Sequence, residues 1–417
     1  MSKPHVLISG ASVAGPALAY WLVRAGCRIT VVERAPALRT TGQGIDIRDS
    51  ARDVVKKMGI FERIRERSSK EEGTEVVVAD NRPIARFPVD LESGNSATSD
   101  VEILRGELAK ILYEVTSDDV KYVFGDMVES LEELPDGIRV GFANGTPAET
   151  FDLVVAADGI GSKIRRMVFG RDAANVKSLN AYVSYFSVPL GDTDTMWSRA
   201  YWVPGGRCTY LRPDNIGRTR AFLTVTAYDG SDPRLARFEE VAKEGVPAQK
   251  ELVREMFSDI GWEVPRVLDA LRESDDFYMQ QVVQLRMKSW SKGRVSLVGD
   301  SGYAPSPFTG MGTSLAFIGA YVLAGEISKQ LDNIPAALEE YEKVLRPYVE
   351  DVQSLPWGIP WIVNPQSAWG VKVWETFLRG LGLLENTGVL GLLSKAAKYL
   401  PSRGKKFKLP EYEAFKK

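Results

Sequence analysis

The sequence predicts an α/β protein with a Rossmann-like domain assembled from distant parts of the chain, an inserted antiparallel-sheet domain and a C-terminal helical segment. Three observations carry this. A short apolar run, His5 to Ser9, leads through a loop of small residues into a helix and a second strand. Two later apolar runs, Phe151 to Ala157 and Arg294 to Val298, each end in a turn that pairs glycine with aspartate, at Asp158-Gly159 and at Gly299-Asp300. Between those turns, polar and apolar residues alternate at the period of half-buried strands.

The elements follow in order. Ala14 to Ala25 has helical spacing through Leu18, Trp21 and Leu22, Gly26 stops it, and Arg28 to Glu33 forms the next strand, completing a β-α-β unit. Val54 to Arg67 and Glu102 to Ser117 also predict helices. The runs at 151–157 and 294–298 are continuously apolar, as in strands covered on both faces. Ser178 to Val188, Arg199 to Val203, Arg207 to Arg212 and Arg218 to Ala227 alternate around turns at Pro204-Gly205-Gly206 and Asp214-Asn215-Ile216-Gly217, which predicts an antiparallel sheet with one wet face. Residues 335 to 354 predict an amphipathic helix broken at Pro347. Residues 356 to 400 hold Trp357, Trp361, Trp369 and Trp374 and read as a helical cap, with the lining of an apolar cavity or membrane contact as the alternatives. The Lys-rich tail from Ser402 reads as a frayed terminus. The expected division gives 1–70, 98–175 and 278–345 to the Rossmann-like domain, 71–97 and 176–277 to the sheet domain, and 346–417 to the helical segment.

Composition narrows the function classes. A chain of 417 residues exceeds what one core usually serves, so an interdomain cleft is expected. Fifty-three basic against 55 acidic residues argue against a nucleic-acid partner. Cys27, Cys208 and the single histidine, His5, argue against a disulfide framework, a metal site or a histidine-based triad, and leave His5 a structural or solvent-facing role. The first strand begins too near Met1 for a leader, and no apolar run reaches the roughly 18 residues of a membrane span. The expectation is a cytoplasmic protein without stable membrane association, monomeric or homodimeric.

The three turns carry the chemistry. Gly10-Ala11-Ser12-Val13-Ala14-Gly15 stands where G-x-G-x-x-G would sit: Gly10 for the tight turn, a small residue at 12 for close approach of a pyrophosphate, and Gly15 for helix packing. The helix start offers free N–H groups to phosphate. Glu33 lies at the distance, about 20 residues on, of an acid that takes a ribose hydroxyl. Asp158-Gly159-Ile160-Gly161 brings backbone to the carboxyl edge of the sheet, where ligands bind. Asp300 can accept a ribitol or ribose hydroxyl, and the Gly310-Met311-Gly312 amides can face an electron-rich ring edge.

With these motifs the chain resembles the group A flavoprotein monooxygenases, of para-hydroxybenzoate hydroxylase fold, over nearly its whole length. It is most similar to the tetracycline-inactivating monooxygenases and aromatic-polyketide hydroxylases, through Gly42-Gln43-Gly44-Ile45-Asp46 after Glu33-Arg34 and through Ile103-Leu104-Arg105. The resemblance implies tightly bound, non-covalent FAD. Glu33 and Arg34 would hold its adenosine part and Arg105 and Asp300 its centre, with Asp46 near the flavin. It implies NADPH as electron donor, received in part by Arg39, for which a plain surface arginine is the alternative. Arg165 and Arg166 would serve NADPH control or bridge charges on a helix surface. The implied reaction delivers one oxygen atom from O2, through a flavin C4a-hydroperoxide, to an electron-rich carbon. Two departures stand out: Ser12 replaces the middle glycine, and Ser301-Gly302-Tyr303 stands where relatives carry Ala-Ala-His.

Substrate contacts are expected on the alternating sheet, with Arg207, Tyr210 and Phe222 ranked first and strand register deciding which of them share a face. Aromatic richness there favours a flat aromatic or polycyclic ligand over a sugar. The competing readings are a flavin reductase or dehydrogenase of the geranylgeranyl reductase type and a flavin-bearing binding protein without turnover.

Overall fold

In the computed structural model, which describes residues 3–89, 102–356, 358–386 and 406–416, the apolar runs join one six-stranded sheet. Its order is Ser291–Lys292, Val295–Leu297, Leu153–Ala156, His5–Ser9, Arg28–Glu33 and Val120–Phe124, and every neighbouring pair is parallel except the first. His5–Ser9 and Leu153–Ala156 are buried from end to end, in one core with helices Ala14–Arg24 and Gly312–Lys329. Parallel strands share a direction, so the turns after Ser9, Ala156 and Leu297 emerge on one edge of the sheet.

A seven-stranded sheet forms the second body, in the order Tyr278–Met287, Ala174–Pro189, Arg218–Thr226, Arg207–Pro213, Trp197–Val203, Gly73–Val77 and Pro83–Pro88. Tyr278–Met287 pairs along its length with Ala174–Pro189, so residues 278–287, expected with the Rossmann-like part, belong to this sheet. Register sorts its side chains. Leu211, Ala221, Leu223 and Val225 pack with Phe238, Leu252, Phe257 and Leu271 of three helices, Pro233–Val241, Val246–Phe257 and Val264–Glu273. Residues 228–277 are expected in the sheet domain without any element assigned; each of these helices has proline in its first turn, where the missing N–H costs nothing. The opposite face, expected to be wet, is largely covered instead: Ala181, Val183, Tyr185, Ala200 and Cys208 lie buried on it.

Several elements differ from expectation. The helix expected at 54–67 is two, Ala51–Lys57 and Phe61–Glu66, because the chain turns at Gly59 with φ +71°. The one expected at 102–117 begins with strand Glu102–Leu104, which pairs with Gly44–Asp46, and becomes helical only over Arg105–Glu114. Pro347 does not break its helix: Ile334–Val352 runs through it, held by Leu338, Tyr341, Leu345 and Val349 in the core.

The C-terminal cap is present in helix Ala368–Asn386, whose Trp374 and Leu378 pack with Val76, Ala85 and Trp202. Trp357 lies outside the described residues, and Trp369 is exposed. The tail is not frayed over 406–416. Tyr412 is buried and donates to Glu326 Oε1 at 2.8 Å, Tyr321 donates to Pro410 O at 2.9 Å, and the Phe415 ring lies 4.7 Å from Trp21. His5 is structural, buried with Nε2 3.0 Å from Thr30 Oγ1 and its ring 4.4 Å from Phe151.

Candidate active site

The first turn is built by close backbone approach. Gly10 has φ +114°, and a Cβ there would lie 2.5 Å from Ala157 O; a Cβ at Gly15 would lie 1.9 Å from Gly10 O. Neither position admits a side chain. The helix that follows begins at Ala14, after Val13, with no side-chain cap and no acid in its first turn, which leaves its amides for an anion. Glu33 is fixed at the end of its strand, accepting from Ala11 N at 2.9 Å and from Ala35 N at 3.0 Å. Arg34 and Arg39 are exposed on the segment beyond it.

Arg105 and Asp300 close the middle of the cleft. Arg105 Nε donates to Ser12 Oγ at 3.1 Å, so the hydroxyl that departs from the glycine pattern tethers this arginine to the loop. Asp300 is open to the cleft yet ringed by protein; that burial raises its pKa, and Arg105 opposes the rise. A Cβ at Gly312 would lie 3.9 Å from Asp300 Oδ1, which sets the acid beside the start of the helix Gly312–Lys329. Of the three amides expected to face a ring edge, two are used internally: Gly310 N donates to Pro307 O at 3.0 Å and Met311 N to Thr309 Oγ1 at 3.2 Å. Donors for a ligand therefore begin at Gly312.

Asp158 accepts from Lys163 N at 3.0 Å through Oδ2, while its buried Oδ1 has no partner among the described residues; burial raises its pKa. Arg165 is buried and donates to Ser301 O at 2.8 Å and to Ile160 O at 2.6 Å, locking two of the turns together, while Arg166 is exposed and donates to Gly161 O. Tyr303 lies in the core rather than the cleft, 2.9 Å from Tyr341 Oη and 4.5 Å from the Trp290 ring.

The face of the mixed sheet away from those helices supplies a wall. Tyr278, Tyr185, Phe222 and Tyr210 are successive cross-strand partners on four neighbouring strands. Their ring centroids lie 4.7, 5.1 and 5.7 Å apart along the row. Tyr278 Oη donates to Gln43 Oε1, which ties the row to the loop before Asp46, and Phe308 from the third turn packs on the same cluster. Gly42, Gln43, Arg220 and three members of the row, Tyr185, Phe222 and Tyr278, line one pocket, which Tyr210 does not reach. Arg220 is held by Asp214 at 2.9 Å and Asp276 at 2.8 Å.

Of the ranked substrate candidates, Tyr210 and Phe222 share this face and Arg207 does not. Arg207 pairs across strands with Val225, pointing to the helix side, where it meets Asp259 Oδ2 at 3.0 Å and Met256 O at 2.8 Å. Its place three residues from Tyr210 puts it on the other side of the pleat. Tyr278 escapes sequence reasoning because no local pattern separates it from other strand tyrosines.

The residues fit FAD: a phosphate cradle that a Cβ would fill, an acid held at the next strand end, and a solvent-open acid beside an arginine. Comparison with known proteins agrees. The family described as FAD binding domain matches residues 3–354. The chain is 34% identical over 411 residues to FAD-dependent monooxygenase asL4 of Sarocladium schorii, covering 92% of this chain and 94% of that protein. It is 36% identical over 423 residues to a flavin-dependent monooxygenase of an unknown prokaryotic organism, covering 98% and 100%. The crystal structure of tetracycline destructase Tet(55) superposes with a TM-score of 0.77 at 33% identity, covering 99% of both chains. Site geometry and these relatives lead to one conclusion: the chain belongs to the FAD binding domain family and is an FAD-dependent monooxygenase.

Proposed function

We propose that this enzyme hydroxylates an aromatic or polyketide-type polycycle that bears a phenol or enol, using NAD(P)H and O2. The observation that carries the reading is the aromatic row Tyr278–Tyr185–Phe222–Tyr210, joined to the cofactor-side loop through Gln43. Aromatic side chains take a ring system in offset-stacked or edge-to-face contacts. The name of the similar tetracycline destructase points to the same ligand class.

The atoms balance as substrate C–H, O2, NAD(P)H and a proton giving substrate C–OH, water and NAD(P)+. FAD, when bound, supplies the electron transfer and the activation of oxygen. In this reading Gly10, Ser12, Val13, Ala14 and Gly15 seat the pyrophosphate, Glu33 and Arg34 the adenosine part, and Arg105, Asp158 and Asp300 the centre. Asp46 and the amides from Gly312 border the ring, and Arg39, exposed beyond Glu33, receives NAD(P)H. The row orients the reacting carbon and excludes water.

A screen of polycyclic phenols for stimulated NAD(P)H oxidation, run under labelled O2, tests the proposal. Label is expected in the product. Unlabelled product supports the reductase reading instead, and absence of stimulation by every phenol removes the hydroxylase. Phe222→Ala is expected to raise KM about tenfold, about 1.4 kcal/mol.

A further inference from the structure

Three carboxyl groups converge on one guanidinium where the ribbon carrying Asp46 meets the substrate sheet. Arg212 Nη2 lies 2.5 Å from Glu102 Oε2, 2.9 Å from Glu71 Oε2 and 3.6 Å from Asp46 Oδ1. Arg212 Nε lies 3.1 Å from the same Glu71 oxygen. Side-chain exposure is 10% for Arg212, 1% for Glu71, 3% for Glu102 and 14% for Asp46, so water is largely shut out. Asp46 and Glu102 are direct partners across the ribbon, Glu71 precedes strand Gly73–Val77, and Arg212 stands two residues beyond Tyr210 on the same face.

Hydrogen bonding does not close with every carboxyl ionised. One Nη carries two N–H groups, so Arg212 Nη2 cannot serve three acids. Ser69 Oγ adds a donor to Glu102 Oε2 at 3.3 Å, and Arg48 Nη2 serves Asp46 Oδ2 at 2.9 Å. The buried oxygens Glu71 Oε1 and Asp46 Oδ1 still have no hydrogen-bond partner among the described residues. Charge among the described residues does not close either: Asp46, Glu71 and Glu102 against Arg48 and Arg212 leave one negative charge, strongly disfavoured away from water.

One proton supplies a donor between the glutamates and neutralises the cluster, leaving Asp46 Oδ1 its 3.6 Å approach to Arg212 Nη2. We propose that Glu71 and Glu102 share one proton in the folded enzyme at neutral pH, and that this neutral clasp holds the Asp46 ribbon in register with the cofactor, making Glu102 a positioning residue. The groups facing Glu102 are Arg212 from the substrate sheet, Glu71 from the segment before Gly73 and Asp46 from the ribbon, with Arg48 behind Asp46 and the Tyr210 phenol beside Arg212. Burial sets the Glu102 pKa well above the carboxylate range; Arg212 opposes this, and Glu71 and Asp46 add to it. A folded pKa above the unfolded one contributes stability that is present below the unfolded value and lost as pH rises through the folded value. The clasp therefore opens on the alkaline side.

Two readouts on the purified holoenzyme test this. Infrared spectroscopy is expected to show a protonated-carboxyl C=O band at neutral pH that is absent in Glu102→Gln. The FAD dissociation constant of the wild type is expected to rise about tenfold as the band titrates away, and this alkaline rise to be lost in Glu102→Gln, whose amide keeps the neutral shape and a donor. A carboxyl spectrum unchanged by the substitution, or an alkaline rise that persists in it, overturns the proposal. Should that variant fail to fold, Glu71→Gln removes the other member of the pair; an unchanged band and unchanged alkaline rise overturn the proposal equally. Neither readout involves the hydroxylation substrate, so failure of the substrate reading leaves the test intact.

Discussion

Asp300 is a residue whose setting comes from the fold. It is an acid after a strand in the sequence, and in the structure it stands open in a cleft lined by Arg105 and the start of the helix Gly312–Lys329. Asp300→Ala is expected to remove a hydrogen-bond partner of the cofactor at a cost of about 1–3 kcal/mol, read as a higher FAD dissociation constant by fluorescence titration. Arg207 is the contrasting residue. Its link to Asp259 and Met256 ties helix Val246–Phe257 to the sheet, so Arg207→Ala is expected to lower Tm while leaving KM for the aromatic substrate near wild type. A rise in KM like that of Phe222→Ala would restore Arg207 to the substrate wall.

Among elements, the C-terminal strap over 406–416 departs furthest from expectation. Lys-rich composition points to a solvated tail, yet Tyr412, Phe407 and Phe415 fill gaps beside Tyr321, Tyr348 and Trp21. A Cβ at Gly325 would lie 2.1 Å from the Tyr412 ring, so the helix keeps glycine there to seat the strap. Tyr412→Ala is expected to cost about 3–5 kcal/mol, the range of large aromatic truncations in cores; differential scanning calorimetry measures it, and an unchanged Tm would mean the strap is not held in solution. Pro347 teaches the same lesson in reverse, since a local breaker yields to a buried helix face.

At the scale of the whole molecule, stability and cofactor are linked through pH. Burial raises the pKa of Asp158 and of Asp300 in the cofactor-free fold. Groups raised in this way contribute stability below their unfolded values, about pH 4, and lose it as pH rises through the folded values. FAD hydroxyls that donate to an ionised carboxylate offset that loss. The Tm difference between holoenzyme and apoprotein is therefore expected to grow as pH rises from about 4 towards neutrality. A difference independent of pH would separate these acids from cofactor binding.

What the sequence by itself determined was the chemistry that depends on local backbone. Gly10, Gly15, Glu33, Asp158 and Asp300 are legible because a tight turn, a helix start or a strand end demands few residue types at short spacing. The parallel sheet was legible for the same reason, through its continuous apolar runs. Only the tertiary structure decided which side chains share a space. A shift of one residue in register exchanges the faces of a strand, so the row from Tyr278 to Tyr210 and the exile of Arg207 follow from strand pairing. The convergence of Asp46, Glu71 and Glu102 on Arg212 joins residues from separate parts of the chain, and no local spacing could announce it, because contact between distant segments is set by how the two sheets meet.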